Sequence, residues 1–239
     1  MAERAGHTVT PLQGSLVPLQ GTLDNGASCA RLQGLGLRNV GVTVFENQKK
    51  IYTDLGELLF THFGVSGPLV LSASAHMRCF GKKAYHLEID LKPALDEQTL
   101  DRRLLSDFEK YANHDFCNAL QDLLPQKLIP VMVEASGIPP HQKVHEITRE
   151  QRRALLLKFK HFVVKISAPC PVEEAIVTSG GIRVNEVNPT TMESKLVKGL
   201  YFAGELLDVD AYTGGFNLQI AWATGRVAGM AAAEEGRKS

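Results

Sequence analysis

The residues best suited to chemistry lie near the carboxyl end of the sequence, between positions 200 and 229. An apolar run, LYFA, is followed by Gly204 and Glu205, then by a turn-rich loop that ends in Gly214 and Gly215. Beyond the loop a helical pattern begins. A strand, a glycine loop and an exposed helix N-terminus together favour a site for a partly anionic ligand. The alternative is an ordinary βα unit with a flexible loop, and residue types alone leave both interpretations open.

Two elements must position this site. Residues 200–203 are apolar and aromatic-rich, which predicts a buried parallel strand. In the helix that follows, Asn217 is the predicted N-cap. The residues predicted to share the packed face of this helix are Leu218, Ala221, Trp222 and Gly225.

The segment GLYFAGELLDVDAYTGGFNLQIAWATG, at residues 199–225, resembles the C-terminal signature of the aminoacetone-oxidase-type FAD-binding family. Blocks at residues 56–68, 124–138 and 173–195 resemble the same family in the same order. Its members are flavoproteins of glutathione-reductase-like fold that carry an inserted β-barrel and a small helical domain. The resemblance implies FAD as cofactor and oxidoreduction of a small-molecule substrate whose identity the sequence does not specify.

The resemblance also implies which residues face the cofactor. Glu205 would accept hydrogen bonds from ribityl hydroxyls, and the helix N-terminus would stabilise the negative charge of a reduced flavin. The alternative for Glu205 is a surface glutamate capping a strand, and Asp208 either forms an Asx turn or reaches the ligand. The full predicted set is Thr178, Gly180, Gly181, Gly204, Glu205, Asp208, Gly214, Gly215, Phe216 and Asn217.

Thr61 and His62 are substrate-side candidates, because the loop marked by Gly64, Gly67 and Pro68 could place them at a cofactor or substrate edge. The alternative for His62 is a polar residue near a turn. For Thr178, Gly180 and Gly181 the alternative is ordinary strand-to-strand turn chemistry. No residue is a convincing acid, base or nucleophile, so the catalytic residues are unknown.

One departure from the family is prominent. The family opens with a βαβ unit bearing Gly-x-Gly-x-x-Gly, which holds the FAD pyrophosphate. No such fingerprint occurs here; Gly34-Leu35-Gly36 lacks the third glycine. We therefore expect the chain to be the C-terminal portion of such a protein, lacking about 150 residues, roughly one domain. FAD binding by the chain alone is then doubtful, and the alternative function is a non-catalytic binding or structural module without flavin.

The expected fold is α/β plus β-barrel: a partial FAD-binding α/β domain with an inserted small β-barrel and a small helical insert. Alternation at Val40, Val42 and Val44 predicts a half-buried strand, which the resemblance assigns to the barrel. Asp96 predicts a helix cap, and Thr148 with Gln151 predicts a capping box. Four short helices are expected around Leu100, Phe116, Leu128 and Leu155. The expected segments are 1–14 (FAD-binding domain remnant), 15–94 (barrel), 95–160 (helical insert), 161–184 (return to the barrel) and 185–239 (end of the FAD-binding domain).

Composition narrows the partners. Twenty-six basic residues balance 26 acidic ones, so no net field favours nucleic acid or an anionic membrane, and neither partner is expected. The basic run beginning at Arg149 is interpreted as a solvated helix face. The four scattered cysteines indicate reduced thiols in a cytoplasmic protein. His141 and His145 lie four apart but lack a third ligand, so no metal is expected. The oligomeric state is not readable.

Overall fold

The computed structural model describes residues 1–237, which divide into two compact units. Residues 19–168 form the barrel unit; residues 1–18 and the chain from 169 onward form the terminal unit. The strands are β1 Val9–Ser15, β2 Leu19–Leu23, β3 Gly36–Glu46, β4 Lys49–Phe60, β5 Gly64–Ser66, β6 Tyr85–Asp90, β7 Phe162–Pro169 and β8 Val177–Ile182. The α-helices are α1 Pro68–Ser74, α2 Glu97–Lys110, α3 Ile129–Ser136, α4 Arg149–Lys160 and α5 Phe216–Gly236. Among residues 1–237, none of the helices combines the length and the hydropathy that a membrane-spanning helix requires.

Six strands of the barrel unit close into a barrel in the order β2-β5-β4-β3-β6-β7. The predicted alternation is confirmed: Val42 and Val44 on β3 are fully buried and pair with Ile89 and Leu87 on β6. Side chains on one face of each strand thereby fill the barrel interior. Residues 58–60 form the end of the long strand β4.

Three helices, α2, α3 and α4, lie between β6 and β7, and the local signals that predicted them are confirmed. The Asp96 side chain caps α2, and Thr148 and Gln151 form the predicted capping box of α4. The prediction of a fourth helix around Phe116 is wrong, because residues Phe116–Asn118 form only a 3₁₀ turn. The Phe116 amide donates to the Gln142 carbonyl oxygen, so this segment is held by long-range contacts rather than by helical bonds.

In the terminal unit, β1 pairs with β8 in an antiparallel two-stranded sheet. β1 ends at Ser15, and the chain turns at Leu16, whose φ is 53°. Of residues 161–184, expected to return to the barrel, only β7 joins it. Thr178, Gly180 and Gly181 lie inside β8 rather than in a turn.

The buried parallel strand expected at residues 200–203 is also absent from the structure. Tyr201 forms a single antiparallel bridge with Glu193, and the chain then enters the 3₁₀ helix Gly204–Leu206. The parallel bridge in this region joins Ile182 to Leu207. A central parallel strand pairs with a neighbouring strand on each side, and residues 200–203 do not have such pairing.

Candidate functional site

The candidate site forms where β8 meets the segment that follows Tyr201. The amide of Asp208 donates to the carbonyl oxygen of Ile182 at 2.9 Å, next to the parallel bridge between Ile182 and Leu207. A β-carbon on Gly181 would lie 2.6 Å from the carbonyl oxygen of Leu206. The structure therefore brings Gly181 together with Gly204–Leu206 and Asp208, which are far apart in sequence.

The two glycines of β8 are explained by the protein's own backbone. Gly180 and Gly181 have φ angles of 94° and 128°, which side chains on L-residues rarely permit. A β-carbon on Gly180 would collide with the carbonyl oxygen of Pro11 on β1. Close backbone approach thus occurs here, with β1 and with Leu206. The nearness of these glycines and Thr178 to a flavin stays a prediction.

Asp210 anchors the loop that follows, and it was not singled out from the sequence. The Ser15 hydroxyl donates to one carboxylate oxygen of Asp210 at 2.5 Å, and the Ser179 hydroxyl donates to the other at 3.2 Å. Both serines are buried. Charge-assisted bonds of this kind are stronger than neutral ones, so they tie the loop to β1 and β8.

Glu205 is presented to solvent from a well-anchored backbone. It lies in the 3₁₀ helix Gly204–Leu206, whose Gly204 amide donates to the Thr224 hydroxyl of α5 at 3.0 Å. Within residues 1–237, the carboxylates of Glu205 and Asp208 accept no hydrogen bond. Two carboxylates without protein donors are free to accept hydrogen bonds from a ligand.

The N-terminus of α5 begins two residues earlier than the sequence indicated. Gly215, with φ of 88°, is the N-cap, and no side chain of the described residues caps the helix. Asn217 was the expected cap, and this is wrong: its amide group bonds both the N–H and the carbonyl oxygen of Ala211, each at 2.8 Å. A β-carbon on Gly215 would have no atom within 4 Å, so the loop is open in front of the helix. Such an opening beside a positive helix terminus suits an anionic ligand.

The packed face of α5 also differs from the expected one. Ala221 does face the protein, since it contacts Gly204, but Leu218 and Trp222 are 59% and 68% exposed. The face that packs consists of small and medium residues: Ile220, Ala221, Thr224, Val227 and Ala228. At its far end the Tyr201 hydroxyl donates to Glu235 at 2.8 Å, which raises the pKa of Tyr201 to about 12.

Thr61 and His62 lie in the barrel unit, in the turn between β4 and β5. The Thr61 hydroxyl accepts from the Gly64 amide at 3.1 Å, so it closes the turn. His62 is exposed, and its ring packs edge-on against Phe63 at 4.9 Å. Pro68 opens α1, as predicted. The substrate-side role of Thr61 and His62 stays a prediction.

A buried arrangement that no sequence pattern indicated joins Glu186, His7 and Ser194. His7 Nδ1 lies 3.1 Å from Glu186 Oε2, and its Nε2 lies 2.8 Å from Ser194 Oγ. An acid, a histidine and a serine in this order can activate a nucleophile. Here, however, Ser194 Oγ already accepts from the amides of Leu196 and Val197 at 3.0 and 2.8 Å. Ser194 is only 7% exposed. The contacts among Glu186, His7 and Ser194 therefore hold residues 186–197 against His7.

His141, His145 and Cys29 have defined environments in the barrel unit. The His141 ring bonds Asp115, and the His145 ring bonds the Ala112 carbonyl oxygen. Residues 1–237 contain no group of three or more histidine, cysteine or acidic residues that could hold a metal ion. Burial raises the pKa of the Cys29 thiol to about 11, which keeps it protonated at neutral pH.

Comparison with known proteins adds the relatives of this fold. Residues 13–177 match a family described as HI0933-like protein barrel and H2TH domain. The chain is 32% identical over 237 residues to a 3-dehydro-bile acid delta(4,6)-reductase of Clostridium scindens, covering 98% of the chain and 57% of the relative.

Two further relatives are ribosomal RNA dihydrouridine synthases. The one from Escherichia coli is 30% identical, covering 94% of the chain and 53% of the relative. The one from Haemophilus influenzae is 31% identical, covering 94% and 52%. The chain thus spans about half the length of the curated relatives it matches.

Proposed function

The chain belongs to the HI0933-like barrel and H2TH domain family, and from this premise we propose that it forms part of an FAD-dependent reductase. In this proposal the terminal unit supplies the isoalloxazine and ribityl side of the cofactor site. The finer resemblance to aminoacetone-oxidase-type flavoproteins, and the position of this chain as their C-terminal portion, are parts of the same proposal.

One observation carries the proposal: the open glycine loop in front of α5. The loop combines an N-cap at Gly215 with no side-chain cap, clear space around Gly215, and a carboxylate on Glu205 with no donor from residues 1–237. A helix of 21 residues has a full macrodipole at this end. These groups fit a flavin, whose ribityl hydroxyls need acceptors and whose reduced ring carries negative charge.

The outer face of α5 is an exposed apolar surface, which favours its being covered by a further layer of protein. Phe216, Leu218 and Trp222 are 58%, 59% and 68% exposed, although the opposite face of the helix is already packed. A helix that is apolar on both sides is normally buried on both sides. We propose that the rest of an FAD-binding α/β domain covers this face, consistent with relatives about twice as long.

The names of the relatives point to a common bond type. A delta(4,6) unsaturation next to a 3-oxo group, and the 5,6 bond of uracil, are both carbon–carbon double bonds conjugated with a carbonyl. Reduction adds a hydride to the carbon remote from the carbonyl and a proton to the carbon beside it. When bound, the flavin would supply the hydride. We propose this conjugated alkene as the substrate class, either on a steroid-like small molecule or on RNA.

In this proposal the residues of the chain position and polarise. Glu205 accepts hydrogen bonds from the ribityl hydroxyls, and the amide end of α5 stabilises negative charge at the ring. Asp210, which accepts hydrogen bonds from Ser15 and Ser179, keeps in place the loop that joins Glu205 to α5. The proton donor is not assigned to a residue.

The test is flavin binding by the purified chain. Trp222 is the single tryptophan of the sequence and lies on α5, so flavin binding should quench its fluorescence. We expect Glu205→Gln to weaken FAD binding by about 10- to 100-fold, the cost of losing hydrogen bonds to a charged acceptor. Glu174→Gln is the matched control, since Glu174 is an exposed glutamate elsewhere in the terminal unit.

A colourless protein whose tryptophan fluorescence does not respond to FAD would overturn the proposal for this chain. That result would favour the alternative function, a non-catalytic binding or structural module without flavin. Equal loss of affinity in the Glu205→Gln and Glu174→Gln variants would reject the assigned role of Glu205 alone.

A further inference from the structure

One face of α5 contacts the chain that carries the two ligand-free carboxylates. We call residues 204–211, which include Glu205 and Asp208, the carboxylate segment. The residues of α5 on this face are half-buried or buried and follow one another at i, i+4, i+7 and i+11. They are Asn217, Ala221, Thr224 and Ala228. Two of these four side chains are polar, and each of the two forms a hydrogen bond with one end of the carboxylate segment.

Thr224 holds the first residue of the carboxylate segment. Its hydroxyl oxygen accepts from the Gly204 amide at 3.0 Å, and its hydroxyl proton is donated to the carbonyl oxygen of Ile220 at 2.7 Å. Because the bond to Ile220 fixes the hydroxyl rotor, the oxygen lone pairs stay directed at Gly204. A β-carbon on Gly204 would lie only 3.7 Å from the Ala221 side chain. The segment therefore begins in direct contact with the helix.

Asn217 holds the last residue of the carboxylate segment. Its side-chain amide accepts from the N–H of Ala211 and donates to the carbonyl oxygen of Ala211, each at 2.8 Å. Asn217 and Thr224 are seven residues apart, which is about 10 Å along the axis of a helix. The two ends of the carboxylate segment are therefore bonded to two separate points on one rigid element.

The bond to Thr224 is the one that acts most directly on Glu205. Glu205 follows Gly204 in the chain, so the Gly204 amide bond sets where the Glu205 backbone lies relative to α5. The Glu205 carboxylate accepts no hydrogen bond from residues 1–237. Its position therefore depends on its backbone rather than on side-chain partners. Hydrogen bonds weaken steeply when the angle at the donor departs from linear, so a displaced backbone would weaken bonds to a ligand.

We propose that Thr224 is a positioning residue of the flavin site and that it acts through Glu205. Its hydroxyl keeps the Glu205 carboxylate at a fixed place relative to the N-terminus of α5, so that one flavin can contact both. Asn217 does the same for the far end of the carboxylate segment. This inference rests on the proposed function, because it concerns the same cofactor site. A site whose groups are held in place before the ligand arrives binds more tightly, since less freedom is lost on binding.

The experiment is a double-mutant cycle on the full chain with FAD as the probe. Thr224→Val removes the acceptor for the Gly204 amide and keeps the shape of the side chain. The dissociation constant for FAD is measured from the quenching of Trp222 fluorescence in the parent, in Thr224→Val, in Glu205→Gln and in the double variant. We expect Thr224→Val to weaken FAD binding by about 3- to 10-fold in the parent. In the Glu205→Gln background the same change should weaken it by less than about twofold, because the two residues act as a unit.

Urea titrations of the same four proteins separate positioning from a role in folding alone. The loss of stability caused by Thr224→Val should be equal in both backgrounds, whereas its effect on FAD affinity should not. Thr224→Ser keeps the hydroxyl and should bind FAD like the parent. Thr190→Val is the matched control, since Thr190 is an exposed threonine elsewhere in the terminal unit. Asn217→Ala enters a second cycle with Glu205→Gln, which tests the other end of the segment even if Thr224→Val does not fold.

Two results would overturn this inference and leave the proposed function intact. The first is parent-like FAD affinity in a folded Thr224→Val variant. The second is an equal fold-loss of affinity with and without Glu205→Gln, which would mean that Thr224 serves the fold and not the carboxylate. A parent chain that does not bind FAD would instead overturn the proposed function, and this inference with it. The parent titration therefore distinguishes the two failures.

Discussion

At the scale of single residues, the His7 group shows how a catalytic-looking arrangement can be structural. Its serine oxygen is committed to two backbone amides, and its histidine ring packs edge-on against Phe202 at 4.8 Å. The acid is Glu186, whose carboxylate also accepts from the Thr8 amide at 2.9 Å. These bonds connect residues separated by 179 and 187 positions, and they satisfy polar groups that are buried at His7 and Ser194.

The Glu186 carboxylate predicts a pH dependence of stability. Hydrogen bonds from Thr8, and then from His7, hold its pKa below the ordinary value of 4.5. A carboxyl group with a lowered pKa stabilises the fold above its unfolded-state pKa, and this stabilisation is lost as pH falls through the folded-state pKa. We expect thermal unfolding of the parent to become easier below about pH 4.5, and Glu186→Gln to show a flatter dependence. Melting curves from pH 3 to pH 7 measure this; parallel curves for the two proteins would contradict it.

At the scale of elements, three glycines differ in the steric contact and the backbone strain that an added side chain would meet. Gly181 has both a left-handed φ and a neighbouring backbone oxygen 2.6 Å from any β-carbon. Gly215 has a left-handed φ of 88° in open space. Gly225 lies inside α5 with no atom near an added β-carbon. Gly181 therefore has both steric contact and backbone strain, Gly215 has backbone strain alone, and Gly225 has neither.

We predict the order of stability of three alanine variants from these causes. Gly181→Ala should lower the free energy of unfolding by about 2–5 kcal/mol, because overpacking adds to backbone strain. Gly215→Ala should lower it by about 1–2 kcal/mol from strain alone. Gly225→Ala should raise it by about 0.5–1 kcal/mol, since alanine favours the helix. Urea titrations test the series, and a stabilising Gly181→Ala would show that the described packing of β8 is incorrect.

At the scale of the whole molecule, the notable feature is an apolar surface on α5 that the rest of residues 1–237 leaves exposed. Leu218 and Trp222 are exposed on a helix whose other face is packed. Large exposed apolar patches mark interaction sites. In the proposed reductase, a further layer of protein covers this surface.

The exposed face predicts that polar substitutions are harmless to folding. Leu218→Gln with Trp222→Gln should change the free energy of unfolding by less than about 0.5 kcal/mol and should reduce self-association in light scattering. Ala228→Gln is the matched control on the packed face, where Ala228 is 8% exposed, and it should cost about 1–3 kcal/mol. A large loss of stability in the double variant would mean that Leu218 and Trp222 are packed in solution.

Elements with local signals could be predicted from residue types and their spacing. Alternation at Val40, Val42 and Val44 specified a half-buried strand, and Thr148 with Gln151 specified the start of α4, because side-chain direction and capping depend on neighbours within a few residues. Helical periodicity between the β-rich segments indicated the helical insert. Several short strands indicated a small barrel or a sandwich, and the family resemblance supplied the choice of a barrel.

The tertiary structure alone decided which distant residues meet. Gly180 and Gly181 signalled close approach, but only the fold shows that Pro11 and Leu206 are what approach them. The same holds for the contacts that join Glu186, His7 and Ser194. Residue type limits the contacts that a group can make. The tertiary fold selects among them, because one glycine or one histidine fits many partners equally well.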